Sequence, residues 1–89
     1  MEILKPASAG TMESSDAYVE IEPAKKLTVS VESVVAKQFG DKIDTAVREV
    51  LKDCGVKCAA VRIVDRGALE CVIRARVETA VMRSGGEKQ

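Results

Sequence analysis

Along residues 17–22 apolar and polar positions alternate. Ala17, Val19 and Ile21 fall on one side and Tyr18, Glu20 and Glu22 on the other, which is the two-residue period of a half-buried strand, ended by Pro23. After Pro23-Ala24-Lys25 the same period resumes, with Leu27, Val29 and Val31 set against Thr28, Ser30 and Glu32. A connection this short predicts an antiparallel hairpin. The period then lengthens: Val35, Phe39, Ile43, Ala46, Val47, Val50, Leu51 and Cys54 share one face at helical spacing, with Ser33 as a candidate N-cap. Gly40 interrupts the stripe and Asp41 is able to recap the turns beyond it, so a kink or two helices meeting at Gly40 are expected. Gly55 supplies a left-handed residue to end the helix, and Val56 can fold back onto the last turn. Residues 59–65 give a third strand with Val61 and Ile63 inward, and Asp65-Arg66-Gly67 turns the chain. Leu69, Val72, Ile73, Val77, Ala80 and Val81 recur at i, i+3 and i+4, predicting a second amphipathic helix that ends near Arg83.

The order strand-strand-helix-strand-helix predicts an α+β fold. It is a small two-layer domain with a three-stranded mixed sheet and both helices on one face. The strand-helix-strand unit takes a right-handed crossover if its strands are parallel. Residues 1–16 contain Pro6 and Gly10 and hold no sustained period, so they read as a flexible N-terminal arm. Residues 17–83 form the domain, and the polar, glycine-rich stretch 84–89 reads as a disordered tail.

Composition narrows the chemistry. Fourteen basic residues balance fourteen acidic ones in the 89-residue chain, which removes the positive field of a nucleic-acid or anionic-membrane binder. Tyr18 and Phe39 are the only aromatics, too few for a base-stacking platform, so a ferredoxin-like RNA binder is weakly supported. The absence of histidine removes the usual proton shuttle and every Ser-His or Cys-His nucleophile pair. Cys54 and Cys58 form a Cys-x-x-x-Cys pair that no second pair or histidine completes, so Cys54, Cys58 and Cys71 read as small, buried, reduced side chains and no metal site is expected. The start Met-Glu-Ile-Leu lacks the pattern of a secretory signal, and no apolar run approaches membrane length, so the expected address is cytoplasmic. Neither G-x-G-x-x-G nor a Walker-type glycine loop is present. Asp44, Glu49, Asp53 and Glu78 are placed for intrahelical partners such as Arg48 and Arg74 rather than for acid-base work.

One segment is odd for a purely structural domain. Gly10-Thr11-Met12-Glu13-Ser14-Ser15-Asp16 is hydroxyl-rich, sits just before the first strand, and offers a serine that another enzyme's active site can reach. Arg74, Arg76 and Arg83 also merit weighing, since arginine suits the phosphates of a docked arm or an acidic patch on a partner. Arginines on a helix are usually solvated or salt-bridged, and Arg76, close to the apolar stripe, is the best of the three for a functional or interface role.

Three blocks then combine: Pro6-Ala7-x-Ala9-Gly10-Thr11-x-Glu13-Ser14-x-Asp16, Lys37-Gln38-Phe39-Gly40, and Asp65-x-Gly67-Ala68-Leu69-Glu70-Cys71-x-x-Arg74-Ala75-Arg76. In this order and at this length the chain resembles the acyl carrier (gamma) subunit family of citrate lyase. That resemblance implies that Ser14 bears a phosphoribosyl-dephospho-coenzyme A group through a phosphodiester, with acetyl and citryl groups held as thioesters on its terminal sulfur. It also implies the citrate lyase alpha and beta subunits and a prosthetic-group transferase as partners, a role in cleaving citrate to acetate and oxaloacetate, and a non-catalytic place in that complex. A protein that only tethers a reactive thioester needs no catalytic histidine of its own. Ser15 occupies a place where glycine is common in the family, and Ser8 is a third hydroxyl; motif register selects Ser14. Glu13 and Asp16 either orient the transferase or solvate the turn. The sequence resembles more weakly the carrier of malonate decarboxylase, and a cofactor-free interaction module is the alternative from a different class. Ordinary phosphopantetheine carriers differ in being acidic helical bundles with an Asp-Ser-Leu motif.

Overall fold

The computed structural model describes residues 2–33 and 36–86. The elements run β1 (Ala7–Gly10), β2 (Ala17–Glu22), β3 (Leu27–Ser33), α1 (Ala36–Asp53), β4 (Ala59–Asp65) and α2 (Glu70–Val81), followed by one wide turn over Met82–Gly86. The strands form a single mixed sheet in the order β1-β2-β4-β3. The sheet therefore has four strands where three were expected, and the expected β2–β3 hairpin does not form, because β4 lies between them, antiparallel to β2 and parallel to β3.

Side-chain chemistry explains the inserted strand. Pairing β2 directly with β3 would set Glu20 and Glu22 beside Thr28, Ser30 and Glu32 with no cation among them. With β4 in the centre, Arg62 reaches Glu20 at 3.0 Å and Glu32 at 3.5 Å, and the most apolar strand is buried between neighbours. The Glu20 hydrogen bond in particular raises the Arg62 pKa. Four residues, 23–26, carry the chain past the end of β4, a step of two strand spacings or about 10 Å that an extended four-residue segment, about 13 Å long, can make.

β1 was hidden in the segment read as irregular because Ala-Ser-Ala-Gly lacks the branched side chains that mark a strand. It adds to the free edge of β2, pairing Ala7 with Ile21 and Gly10 with Tyr18, and buries Ala9; Ile3, upstream, also enters the core.

The helices cover one face. Ala17, Val19, Ile21, Val61 and Ile63 point into it, and meet Ile43, Val47 and Leu51 from α1 and Ile73, Val77 and Val81 from α2. The helix α1 runs unbroken through Gly40, contrary to the expected kink, since one glycine costs a helix interior only about 1 kcal/mol and the buried stripe continues past it. Ser33 closes β3 and gives its hydroxyl to Asp65 Oδ2 at 2.8 Å; Val35, expected on the α1 stripe, lies outside the described residues. At the far end of α1, Gly55 has φ 75° and its N–H donates to Lys52 O, while the Val56 N–H donates to Leu51 O, both at 2.9 Å. This is the paired Schellman closure, with Val56 buried against the helix.

Other expectations are corrected. Phe39 is 43% exposed, because it sits in the early turns of α1, ahead of Ile43, the first buried position among the described side chains of that helix. Leu69, just before α2, is likewise exposed. The cysteines are free, but Cys58 and Cys71 are exposed and Cys54 half-buried: Cys58 lies in the loop before β4 and Cys71 on the outer side of α2. Glu49 pairs with Arg74 across the two helices instead of within α1, whereas Asp44–Arg48 is the expected i, i+4 pair. Ser84, placed in the expected tail, is fully buried, and its carbonyl accepts the N–H groups of Leu4 (3.2 Å) and Lys5 (3.1 Å). Residues 87–89 of that tail lie outside the described residues.

Leu51 is fully buried, so Leu51→Ala is expected to lower unfolding free energy by about 2–5 kcal/mol. Exposed Cys71→Ser should change it by under about 0.5 kcal/mol. Urea denaturation of both variants checks the contrast.

Candidate functional site: the β1–β2 turn

Residues 11–16 join β1 to β2, and Ser14 lies among them. The Asp16 N–H donates to the Glu13 carbonyl at 3.1 Å, closing a four-residue turn with Ser14 and Ser15 at its central positions. Ser15 has φ 68°, the left-handed value that a type II turn requires at its third residue and that favours glycine or asparagine. Ser14 therefore occupies the corner. It is exposed, and its hydroxyl makes no hydrogen bond among the described residues. Ser15 is exposed beside it, while Ser8 is held half-buried within β1, opposite Glu20.

The turn is braced from both sides. Toward β4, the Ser15 N–H donates to Arg66 O at 2.8 Å and the Arg66 N–H donates to Asp16 O at 2.9 Å. Arg66 is itself positioned by buried Asp65, whose Oδ1 accepts the N–H groups of Gly67 (3.2 Å) and Ala68 (2.8 Å). Toward α2, Asp16 receives a forked pair of bonds from Arg76: Nε to Oδ1 at 3.0 Å and Nη2 to Oδ2 at 3.2 Å. Forked arginine–carboxylate bonds fix orientation as well as distance. Asp16 also accepts the Thr11 hydroxyl at 2.7 Å and the Ala17 N–H at 2.7 Å, and Thr11 Oγ1 accepts the Glu13 N–H at 3.2 Å.

The Thr11 hydroxyl, followed by the Arg76 guanidinium and the Ala17 amide, pulls the Asp16 carboxyl down from its ordinary 3.8 to about 2. A carboxyl lowered on folding contributes stability that is complete above its unfolded value and is lost as the pH falls through its folded value. Asp16→Asn is accordingly expected to lower the melting temperature at neutral pH, and the gap to wild type should close between pH 4 and pH 2. Melting curves followed by circular dichroism across that range test this; a gap independent of pH would contradict it.

Gly10 makes this geometry possible. Its φ is +90°, and a Cβ there would lie 1.8 Å from the Ala17 carbonyl oxygen and 3.1 Å from Arg76 Cδ, so the Arg76 stem reaches Asp16 only because residue 10 has no side chain. The structure thus joins Gly10, Thr11 and Asp16 of the first sequence block to Asp65 and Arg76 of the third. Arg76 braces the Ser14 turn. Arg74 pairs with Glu49 at 2.6 Å and Glu70 at 2.8 Å, the Glu49 bond first raising its pKa, and Arg83 donates to the Ser8 carbonyl at 3.1 Å. Arg66 was not singled out by sequence reasoning; its place in Asp65-Arg66-Gly67, after a strand and before a glycine, was the available signal.

Phe39, from the second block, lines a largely apolar cleft of about 260 Å³ between α1 and the start of α2, together with Ile43, Ala46, Ala68 and Ile73. The Lys42 ammonium stands over the Phe39 ring, 5.7 Å from its centroid. Burial, with Glu78 and Asp53 next, pushes the half-buried Cys54 thiol up, which disfavours a nucleophilic thiolate. Among the described residues no group of three or more His, Cys, Asp or Glu side chains is placed to hold a metal ion, and no helix is long and apolar enough to cross a membrane.

The ACP family model, described as the malonate decarboxylase delta subunit (MdcD), matches residues 4–84. A citrate lyase acyl carrier protein of Haemophilus influenzae (strain PittEE) is 51% identical over 98% of this chain and 92% of its own length. Another, from Pectobacterium atrosepticum, is 49% identical over all of this chain and 94% of its own. Among solved structures, a chain of a Pseudomonas malonate decarboxylase hetero-tetramer in complex with malonate superposes with a TM-score of 0.79 at 23% identity, covering 93% of this chain and 87% of that one, a likeness of fold.

Proposed function

Since the chain belongs to the citrate lyase acyl carrier protein family, we propose that it is the non-catalytic carrier subunit of a citrate lyase complex, presenting acyl groups on a prosthetic group tethered to Ser14. The observation that carries this reading is the geometry of the turn: an exposed, unengaged hydroxyl at the corner of a loop whose every neighbour is pinned. A tether needs that combination. The hydroxyl must be open to a transferase and then to partner active sites, while the base of the arm stays fixed so that its reach is set by the arm itself.

The residues fit a phosphoribosyl-dephospho-coenzyme A group attached through a phosphodiester. Ser14 provides an exposed hydroxyl oxygen, and Arg66, whose backbone is bonded to the turn, carries an exposed cationic side chain. When bound, the group supplies the thiol on which an acyl chain is carried as a reactive thioester. The chain's own residues position and hold. Asp16 and Arg76 lock the turn to α2, Arg66 backbone atoms lock it to β4, and Gly10 leaves room for the Arg76 stem. The Ser14 hydroxyl makes no hydrogen bond to an acid or base among the described residues, which accords with loading by a separate transferase; on this reading the acyl chemistry belongs to alpha and beta subunits.

The malonate decarboxylase carrier is the second reading, favoured by the family-model description and the structural neighbour. Identity of about half along the whole chain favours citrate lyase. Turnover of the native complex with labelled citrate tests the proposal. This chain is expected to retain hydroxylamine-labile label that survives substitution of Cys54, Cys58 and Cys71 by serine. Labelling from malonate alone, or label that disappears with the cysteines, would contradict it.

A further inference from the structure

We propose that the arm on Ser14 folds back over the loop of residues 66–68, with a phosphate held by the Arg66 guanidinium and its acyl-bearing end lodged in the cleft between α1 and α2. This inference rests on the reading of Ser14 as the attachment site.

Two independent observations lead to it. The first is the disposition of the arginines. Arg48, Arg62, Arg74 and Arg76 each pair with carboxylates, and Arg83 bonds the Ser8 carbonyl. Arg66 is exposed, and its guanidinium makes no hydrogen bond or ion pair among the described residues. Its backbone is nevertheless fixed by two hydrogen bonds to the Ser14 turn, at 2.8 and 2.9 Å. An unpaired planar cation on a backbone anchored to the Ser14 turn suits phosphate recognition by charge and by fork geometry.

The second observation is the cleft. Gly67 and Ala68, the next two residues, line it. From the turn to its edge is one strand spacing plus two Cα steps, on the order of 12 Å. Beyond that edge the walls are Phe39, Ile43, Ala46 and Ile73, with Lys42 over the Phe39 ring at the mouth and open to a second phosphate. Phe39 remains 43% exposed although the pattern of α1 places it on the buried stripe, so a partly uncovered apolar ring stands at the mouth, with Lys42 over it. The arm in its acetyl form fits by chemistry: it is anionic near its root and ends in a small uncharged thioester, whereas the citryl form, with two free carboxylates, is excluded from a cleft lined by apolar side chains, Asp65 and Glu70. Because it is covalently tethered, its local concentration is high, and a shallow apolar contact suffices to shelter the thioester between transfers.

The test uses isotope-labelled protein, unloaded and fully loaded, with intact mass establishing the loading. The expected result is that loading shifts the methyl signals of Ile43, Ala46, Ala68 and Ile73 and the Arg66 side-chain N–H. Phe39→Ser, a substitution at an exposed position, should keep the mass increment and lose at least half of the cleft shifts. Arg66→Gln should keep the increment and lose the shifts near residues 66–68. A full increment with shifts confined to residues 11–16 would overturn the inference and leave the attachment reading intact. Absence of any increment would overturn both.

Discussion

Ser14→Ala is expected to abolish carriage. The variant should fold like wild type, since the side chain is exposed and unbonded, yet gain no prosthetic-group mass and reduce reconstituted citrate cleavage to background. Two controls sharpen this expectation. Ser15→Gly should load and turn over fully, and stabilise the fold by about 1 kcal/mol, because φ 68° strains a residue with a side chain. Ser8→Ala should also retain activity, since Ser8 is committed to β1 and its carbonyl, not its hydroxyl, accepts from Arg83. Loss of loading in the Ser15 variant with retention in Ser14→Ala would reverse the assignment. Intact mass and a coupled citrate-cleavage assay, run on the same preparations, read all three variants.

The second large effect concerns Gly10. Gly10→Val places a branched side chain where even Cβ would lie 1.8 Å from a backbone oxygen, in a conformation that L residues rarely adopt. Since the obstructing atom belongs to the main chain of β2, relief requires β1 and the turn to move. The expected cost is at least about 3 kcal/mol in urea unfolding, comparable to the severe backbone and overpacking cases. The damage should reach function, because the same movement displaces Arg76 from Asp16 and frees the Ser14 turn. A change below about 0.5 kcal/mol, the range of an ordinary surface substitution, would show that the turn does not depend on this close approach.

How much of this was legible in the chain depends on the range of the interactions involved. Ala17–Glu22 and Ala59–Asp65 were readable to the residue because each carries its own period-two pattern and its own stop, Pro23 in one case and Asp65-Arg66-Gly67 in the other. The Gly55 closure was readable because a Schellman motif is written in adjacent residues. The Glu13-Ser14-x-Asp16 block drew notice through the family resemblance, within a stretch read as a flexible arm, and its braced turn was not foreseen. What escaped was set at long range. β1 exists only because β2 offers an edge, and β4 takes the centre because it is the most apolar strand and is buried between neighbours there, with Arg62 adding surface pairs to Glu20 and Glu32. Arg76 was noticed for its place near the apolar stripe, but its partner Asp16 lies 60 residues away. Arg66 became distinctive only when the other arginines were seen to be engaged. Phe39 was misplaced because helical period assigns a face without saying where the covering layer ends, and the cysteines because residue type alone does not set burial: Cys58 lies in a loop and Cys71 on the outer side of α2.

The central claim is that the chain serves as a support for a group esterified to Ser14. Digestion of this subunit from catalytically active complex with a protease that cuts after glutamate isolates residues 14–20, which separates Ser8 from the two turn serines. Fragmentation of that peptide is expected to place a single phosphodiester-linked increment on Ser14. An unmodified peptide 14–20 from fully active complex would contradict the account.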